Sequence, residues 1–327
     1  MADINIGQVA TTTLKKQFTD IIDNMSDNVP YYLHVKRKDN LKLDGGRDIN
    51  FPLDYAENSS FQWYSGYDTV SIAINDIIDS ATYDWKQASV AVSFSGLELL
   101  KNSGREAIIK IVAAKINNAK RTFTNQMGAG VHAAGTGSGG KELGGLGLLV
   151  PTTNTNTVGG INATTYAWWQ NNVTDYTTVN GGSATTAANI QVAMRSQWAS
   201  VTRNADKPDL VLLSSTYFNH YWGSLTAIQQ IIRTDEGRSG FRSLVFVDAD
   251  VYNEGGVGGN MAETSVTNAT SFMLNTNYLG LCSHSARGIE VVGGDRMSVN
   301  QDAHVNLILY AGNMYVTNRQ LQSKGKE

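Results

Sequence analysis

From Arg105 onward the apolar residues Ile108, Val112, Ile116, Ala119, Phe123 and Met127 recur at intervals of three and four. That spacing places them on one face of an α-helix. Ser95 with Glu98, and Ser103 with Glu106, fit S-x-x-E capping boxes ahead of it, in which side chain and backbone satisfy each other's free donors. Gly128 and Gly130 supply the predicted stop, because Gly tolerates the left-handed conformation that ends helices. Such a helix is roughly 35 Å long at 1.5 Å per residue. A long helix set in β-rich sequence reads as a spine.

Around that spine the pattern changes period. Residues 1–30 carry Leu14, Phe18, Ile21, Ile22 and Met25 at helical spacing behind a capping run Thr11-Thr12-Thr13. This predicts an amphipathic arm that must dock on something and that ends at Pro30. Residues 31–93 read as β: YYLHV as a strand, KRKDNLKLDGGRD as a bend, then INFPLDY, FQWYSGYDTVSIAI and ATYDWKQASVAVSF, rich in aromatic and β-branched residues. Phe51, Phe61, Trp63, Tyr64 and Tyr67 in this stretch are candidate contact residues of an extended arm. The residues alone allow two readings of it: a subunit-contact arm, or an ordinary sheet packed on the helix.

Beyond the spine, AAGTGSGGKELGGLGLLV is a Gly-dense loop running into a short apolar strand, and residues 151–188 are Thr/Asn/Gly loops around a packing pair, Trp168-Trp169. Ile190, Met194, Trp198 and Val201 mark a helix, DLVLLSS a strand, TYFNHYWGSLTAIQQII a second helix. The strands LVFVDADVY, FMLNTNYLGLCSH and IEVVGGDRMSVN follow. This alternation predicts a mixed α/β domain. DAHVNLILYAGNMYVTNRQLQ reads as a long strand or hairpin, and SKGKE as a solvated tail.

Composition narrows the function classes. The chain has 327 residues, 41% hydrophobic and 17% charged, so it can bury a core, and about two domains fit at ~150 residues each. Lys and Arg number 26 against 29 Asp and Glu, a net charge of −3. A dedicated nucleic-acid binder would be strongly basic. The single cysteine, Cys282, excludes an intrachain disulfide. Without an apolar signal core or an eighteen-residue apolar run, the expectation is a soluble chain folded in a reducing cytoplasm, with no membrane contact.

Candidate chemistry is sparse. Gly135–Lys141 matches G-x-x-x-x-G-K of a phosphate-binding loop. Glu142 stands where a Ser or Thr is needed, however, and the loop follows a helix instead of opening one. Cys282 and His284 form a C-x-H pair, too few ligands for zinc, and Asp248 with Asp250 reads as a polar strand end. The spine's Arg105, Lys110, Lys115, Lys120 and Arg121 read as a solvated surface or a face toward DNA. No catalytic residue, cofactor or metal is expected.

The order of elements resembles the major capsid proteins of tailed bacteriophages with the HK97-type fold. GGRDINFPLDY, ATYDWKQASVAVSFSGLELLKNSG, GTGSGGKELGGLGLLV, VGGINATTYAWWQN and AGNMYVTNRQ carry the likeness across nearly the whole chain. The resemblance implies an α+β fold with an N-terminal arm at 1–31, an extended β loop at 32–93, and the spine helix with part of a peripheral domain at 94–158. An axial domain at 159–290 and returning peripheral strands with a tail at 291–327 complete it. It also implies self-assembly into hexamers and pentamers of an icosahedral head enclosing double-stranded DNA. The further partners implied are a separate scaffolding protein, a portal and DNA at the inner surface, in a virion assembled in a bacterial cytoplasm. Lys36, Lys38, Lys42 and Asn318 are the residues that family-type isopeptide crosslinking would draw on. The alternatives are an encapsulin-like nanocompartment shell, a tail or head-completion component, and a nucleotide-binding enzyme using Gly135–Lys141.

Overall fold

The computed structural model describes residues 30, 31, 34, 41–72, 75–97, 105–225, 244–255, 261, 269–297 and 302–327, without the side chains of 105–113, 289–297 and 303. In chain order come β1 (Leu41–Leu43), β2 (Ile49–Asp54), β3 (Ile78–Tyr83), β4 (Lys86–Ser95) and the spine α1 (Arg105–His132). After two single-turn helices at Gly137–Gly140 and Leu146–Leu149 follow β5 (Thr157–Val158), β6 (Ile161–Asn162), β7 (Asn172–Asp175), α2 (Tyr176–Val179), α3 (Ile190–Ser200) and β8 (Leu210–Leu213). The rest is α4 (Ser215–Ser224), β9 (Leu244–Phe246), β10 (Ala249–Asn253), β11 (Thr270–Leu274), β12 (Leu279–Met297), β13 (Ala303–Val316) and β14 (Ser323–Lys326).

The spine packs on a four-stranded sheet of order β1-β12-β13-β4. Ile116, Ala119, Phe123 and Met127 are buried with Val92 and Phe94 of β4 and Ile308 and Tyr310 of β13. The helical spacing read from sequence therefore marks the packed face. Ile108 and Val112 lie in the same helix, but their side chains are outside the described set, as are the caps Glu98 and Ser103 and the arm helix of residues 1–29.

The helix does not stop at Gly128 and Gly130; its 28 residues run to His132, roughly 42 Å at 1.5 Å per residue. Val131 is buried, and the loop at Gly145 sits so close that a Cβ there would lie 2.5 Å from the Gly130 and Val131 carbonyl oxygens. Burial of that last turn outweighs the ~1 kcal/mol that a helical glycine costs.

The second sheet has the order β7-β14-β11-β8-β10-β9. One face, with Val211, Leu213, Val251 and Met273, is covered by Ile190, Ala193, Met194, Tyr217 and Tyr221 of α3 and α4. The other, with Leu210, Leu212, Tyr252, Phe272 and Leu274, joins Tyr31, Trp169 and the spine in a single core shared with the first sheet.

Several sequence readings are corrected, among them the short apolar strand after the Gly-dense loop, which is the helical turn Leu146–Leu149. Pro30, Tyr31 and His34 are helical, so Pro30 does not end a helix, and at Tyr31 and His34, the described residues of YYLHV, the expected strand is absent. Tyr31 is buried, donates its N–H to a Glu254 carboxylate oxygen (2.9 Å) and sets its ring edge-on to His132, a docking stronger than the local β preference. Residues 61–72 form no strand despite their alternation, because no other strand of the described chain lies beside them. LVFVDADVY is two strands, β9 and β10, joined at Val247–Asp248 with Val247 at φ 58°, the left-handed geometry a two-residue hairpin needs. Last, Ser323–Lys326 is no solvated tail. It is an interior strand, antiparallel to β11 and parallel to β7.

Candidate assembly surface

β2 and β3 form an antiparallel hairpin whose base is fastened by aromatic contacts. Phe51 stacks on Tyr315 at 4.3 Å and meets Tyr83 edge-on at 6.3 Å. Tyr55 stacks on Trp168 at 4.9 Å, and Trp168 meets the buried Trp169, whose indole N–H donates to the Val158 carbonyl. The Trp168-Trp169 pair is thus an anchor for the base of the loop. Phe51 is engaged inside its own subunit.

Past that base the chain projects. A turn at Ser65–Asp68 closes it, with the Asp68 N–H donating to the Ser65 carbonyl (2.7 Å) and the Ser65 N–H donating to the Asp68 carboxylate. The Gln62 amide donates to the Thr69 carbonyl across the two limbs (2.9 Å). Phe61, Trp63, Tyr64, Tyr67 and Ile72 are 75, 91, 68, 106 and 92% exposed. Apolar exposure of this density on one projection makes it the candidate interaction surface. Residues 54–85 carry Asp54, Glu57, Asp68, Asp76, Asp79 and Asp84 and no Lys or Arg.

The two sheets meet at a residue that sequence reading passed over. Arg319 is fully buried in the segment between β13 and β14. It donates to the carbonyls of Leu149 (3.0 Å) and Trp169 (2.9 Å) and to the side-chain oxygens of Asn156 (2.8 Å) and Asn171 (3.0 Å), with its guanidinium over the Trp169 ring. Burial lowers its pKa to about 10, so it stays charged at neutral pH. Gln322, three residues on, exchanges hydrogen bonds with the Asn275 backbone. An arginine charge is normally at the surface, and nothing in the sequence marks this one.

The chemical candidates resolve into structural parts. Gly135–Lys141 has Gly139 and Gly140 at φ +69° and +81° and is followed by a four-residue turn of helix, while the Lys86 ammonium donates to the Gly140 carbonyl (2.8 Å). That loop borders a cavity of about 600 Å³ against β4 and α1. Asp248 pairs with Lys207. No three metal-ligating side chains group among the described residues.

Cys282 is buried in β12, and burial pushes its thiol from 9.0 up to about 11. The folded protein therefore keeps the proton that an unfolded chain releases near pH 9. Stability from this site is present below pH 9 and is lost as pH rises through about 11. A thiol-specific chromogenic reagent at pH 8 is expected to leave native protein unlabelled and to label one thiol per chain in denaturant. Stoichiometric labelling of the native protein would contradict this placement.

No family model and no curated protein sequence matches the chain. Solved structures do. The capsid of cyanophage A-1(L) superposes with a TM-score of 0.60 at 15% identity, covering 88% of this chain and 89% of that one. The fold is the HK97-type capsid fold. The capsid of the Myoviridae phage XM1 shares this capsid fold with a TM-score of 0.52 at 11% identity, over 88% of this chain and 89% of that chain. A virus-like particle from Pyrococcus furiosus does so with a TM-score of 0.50 at 9% identity, over 95 and 98%.

Proposed function

We propose that this chain is the major capsid protein of a tailed phage, a structural subunit that closes with its own copies into hexamers and pentamers of an icosahedral head around double-stranded DNA. The observation that carries the proposal is the pairing of a capsid fold with a projecting loop whose aromatic residues Phe61, Trp63, Tyr64 and Tyr67 stay exposed among the described residues. Rings of identical copies bury such surfaces by rotation, and Trp and Tyr are the side chains that anchor interfaces. Phe61, Trp63, Tyr64 and Tyr67 are the contact residues of this reading. In this reading a separate scaffolding protein controls the shape of the shell, the portal occupies one vertex, and DNA meets the inner surface in the virion.

Particle contents test this proposal against the encapsulin-like shell. Particles from infected or co-expressing cells are expected to hold nuclease-protected double-stranded DNA. A shell that packs only an enzyme cargo would overturn the phage reading. Trp63→Ala is expected to leave subunit stability within about 0.5 kcal/mol, since the side chain is exposed. It is expected to weaken assembly about 30-fold, the ~2 kcal/mol of an interface anchor. Light scattering during assembly and thermal melting of the free subunit check the two halves. Unchanged assembly would remove Trp63 from the interface.

A further inference from the structure

β4 is an edge. Its ten residues pair with β13 on one side, and no strand among the described residues lies on the other. The other edge strands of the two larger sheets are shorter: three residues in β1, four in β7 and three in β9. The Ser93 carbonyl, which accepts from the Lys115 ammonium at 3.0 Å, points away from β13 toward α1. N–H and C=O of one residue share a side and alternate along a strand. Gln87, Ser89 and Ala91 therefore aim their backbone groups the same way as Ser93.

A groove runs along this edge. Two cavities of about 600 and 520 Å³ share Val90 and Thr122 and follow β4 from Lys86 to Ser93 opposite α1. At 3.3 Å per residue the edge is roughly 26 Å long. Phe123, Met127, Ala119 and Val92 supply its apolar floor, and Lys86, Lys115 and Lys141 its charged rim, with Glu142 as the one acid.

The same chain holds a β-patterned segment outside any sheet. Thr69-Val70-Ser71-Ile72 alternates polar and β-branched residues, yet it is unpaired as a strand, with Val70 50% and Ile72 92% exposed. It lies in the loop that carries acids and no Lys or Arg, which complements the basic rim. We propose that residues 69–72 of one copy add to the free edge of β4 in a neighbouring copy, with Val70 and Ile72 laid into the groove. Main-chain hydrogen bonds then give affinity and the two side-chain pockets give register. The contact converts two hazards, an open edge and an exposed β pattern, into one interface.

This contact rests on the assembly reading above, and the test separates the two. In wild-type shells, backbone amide exchange across residues 86–93 is expected to slow at least ten-fold relative to the free subunit. The double variant Val70→Asn/Ile72→Asn changes only exposed side chains. It is expected to keep the subunit's melting temperature and to lower shell yield at least ten-fold. Ala91→Pro removes an outward N–H, which an edge strand tolerates, and is expected to do the same; the loop variant carries the test if Ala91→Pro misfolds. Wild-type shells with unprotected 86–93 amides, or full shell yield from the loop variant, would overturn this contact and leave the capsid reading standing. A wild-type chain that forms no shells under any condition overturns both.

Discussion

Removing residues 323–327, or replacing Gly325 by Val, is expected to leave no stably folded subunit. Ser323–Lys326 fills the slot between β7 and β11, so its loss cuts β7 from the sheet and leaves β11 paired on one side only, with β8. The packing beneath it is equally specific. A Cβ on Gly325 would lie 2.2 Å from Ser271 Oγ, 2.8 Å from Tyr176 Cε1 and 2.9 Å from Gln197 Oε1. Those three side chains already bond one another, and Gln197 also donates to Ser323 Oγ. Overpacking a filled site costs about 1–3 kcal/mol or more, and here it also breaks a buried network. Deleting the strand removes a large part of the roughly 5–15 kcal/mol that holds a protein together. Soluble yield and urea unfolding measure both variants. A truncated chain that unfolds like wild type would show that these residues are dispensable.

Arg319→Met is the second large effect, with an expected loss of about 3–5 kcal/mol. The substitution keeps most of the side-chain volume but strips donors from the Leu149 and Trp169 carbonyls and from the Asn156 and Asn171 amide oxygens. Each buried acceptor left without a partner costs roughly 1–3 kcal/mol, reduced where water or a neighbour takes over. Arg319→Lys is expected to recover little, because an ammonium is a point charge and cannot span the planar fork that serves these acceptors. The midpoint of urea unfolding at unchanged slope reads this directly. A loss below about 1 kcal/mol would mean that the junction of the two sheets is held by its apolar contacts.

The spine was legible because its packed face repeats: Ile116, Ala119, Phe123 and Met127 all fall on one stripe, and the structure buries each of them. The long terminal strand and the mixed α/β order were legible for the same reason. Other features lack any repeat to read. Ser-Lys-Gly-Lys has no apolar or β-branched residue, and it becomes a strand through the backbone slot that β7 and β11 leave open. Gly128 and Gly130 signal a stop locally, and only the distant Gly145 loop overrides it. Arg319 is one charge in a polar segment, made central by partners 148 to 170 residues away. At the candidate surface the aromatic residues were visible as types, while their exposure depends on where the folded loop carries them. That division separated Phe51, stacked on Tyr315, from the exposed Phe61, Trp63, Tyr64 and Tyr67.

The most direct measurement is sedimentation with negative-stain microscopy of the purified chain at high concentration, with and without a scaffolding partner. The account predicts closed shells, or rings of five and six copies. Open tubes, or a chain that stays monomeric with its scaffold and binds ATP through Lys141, would contradict it.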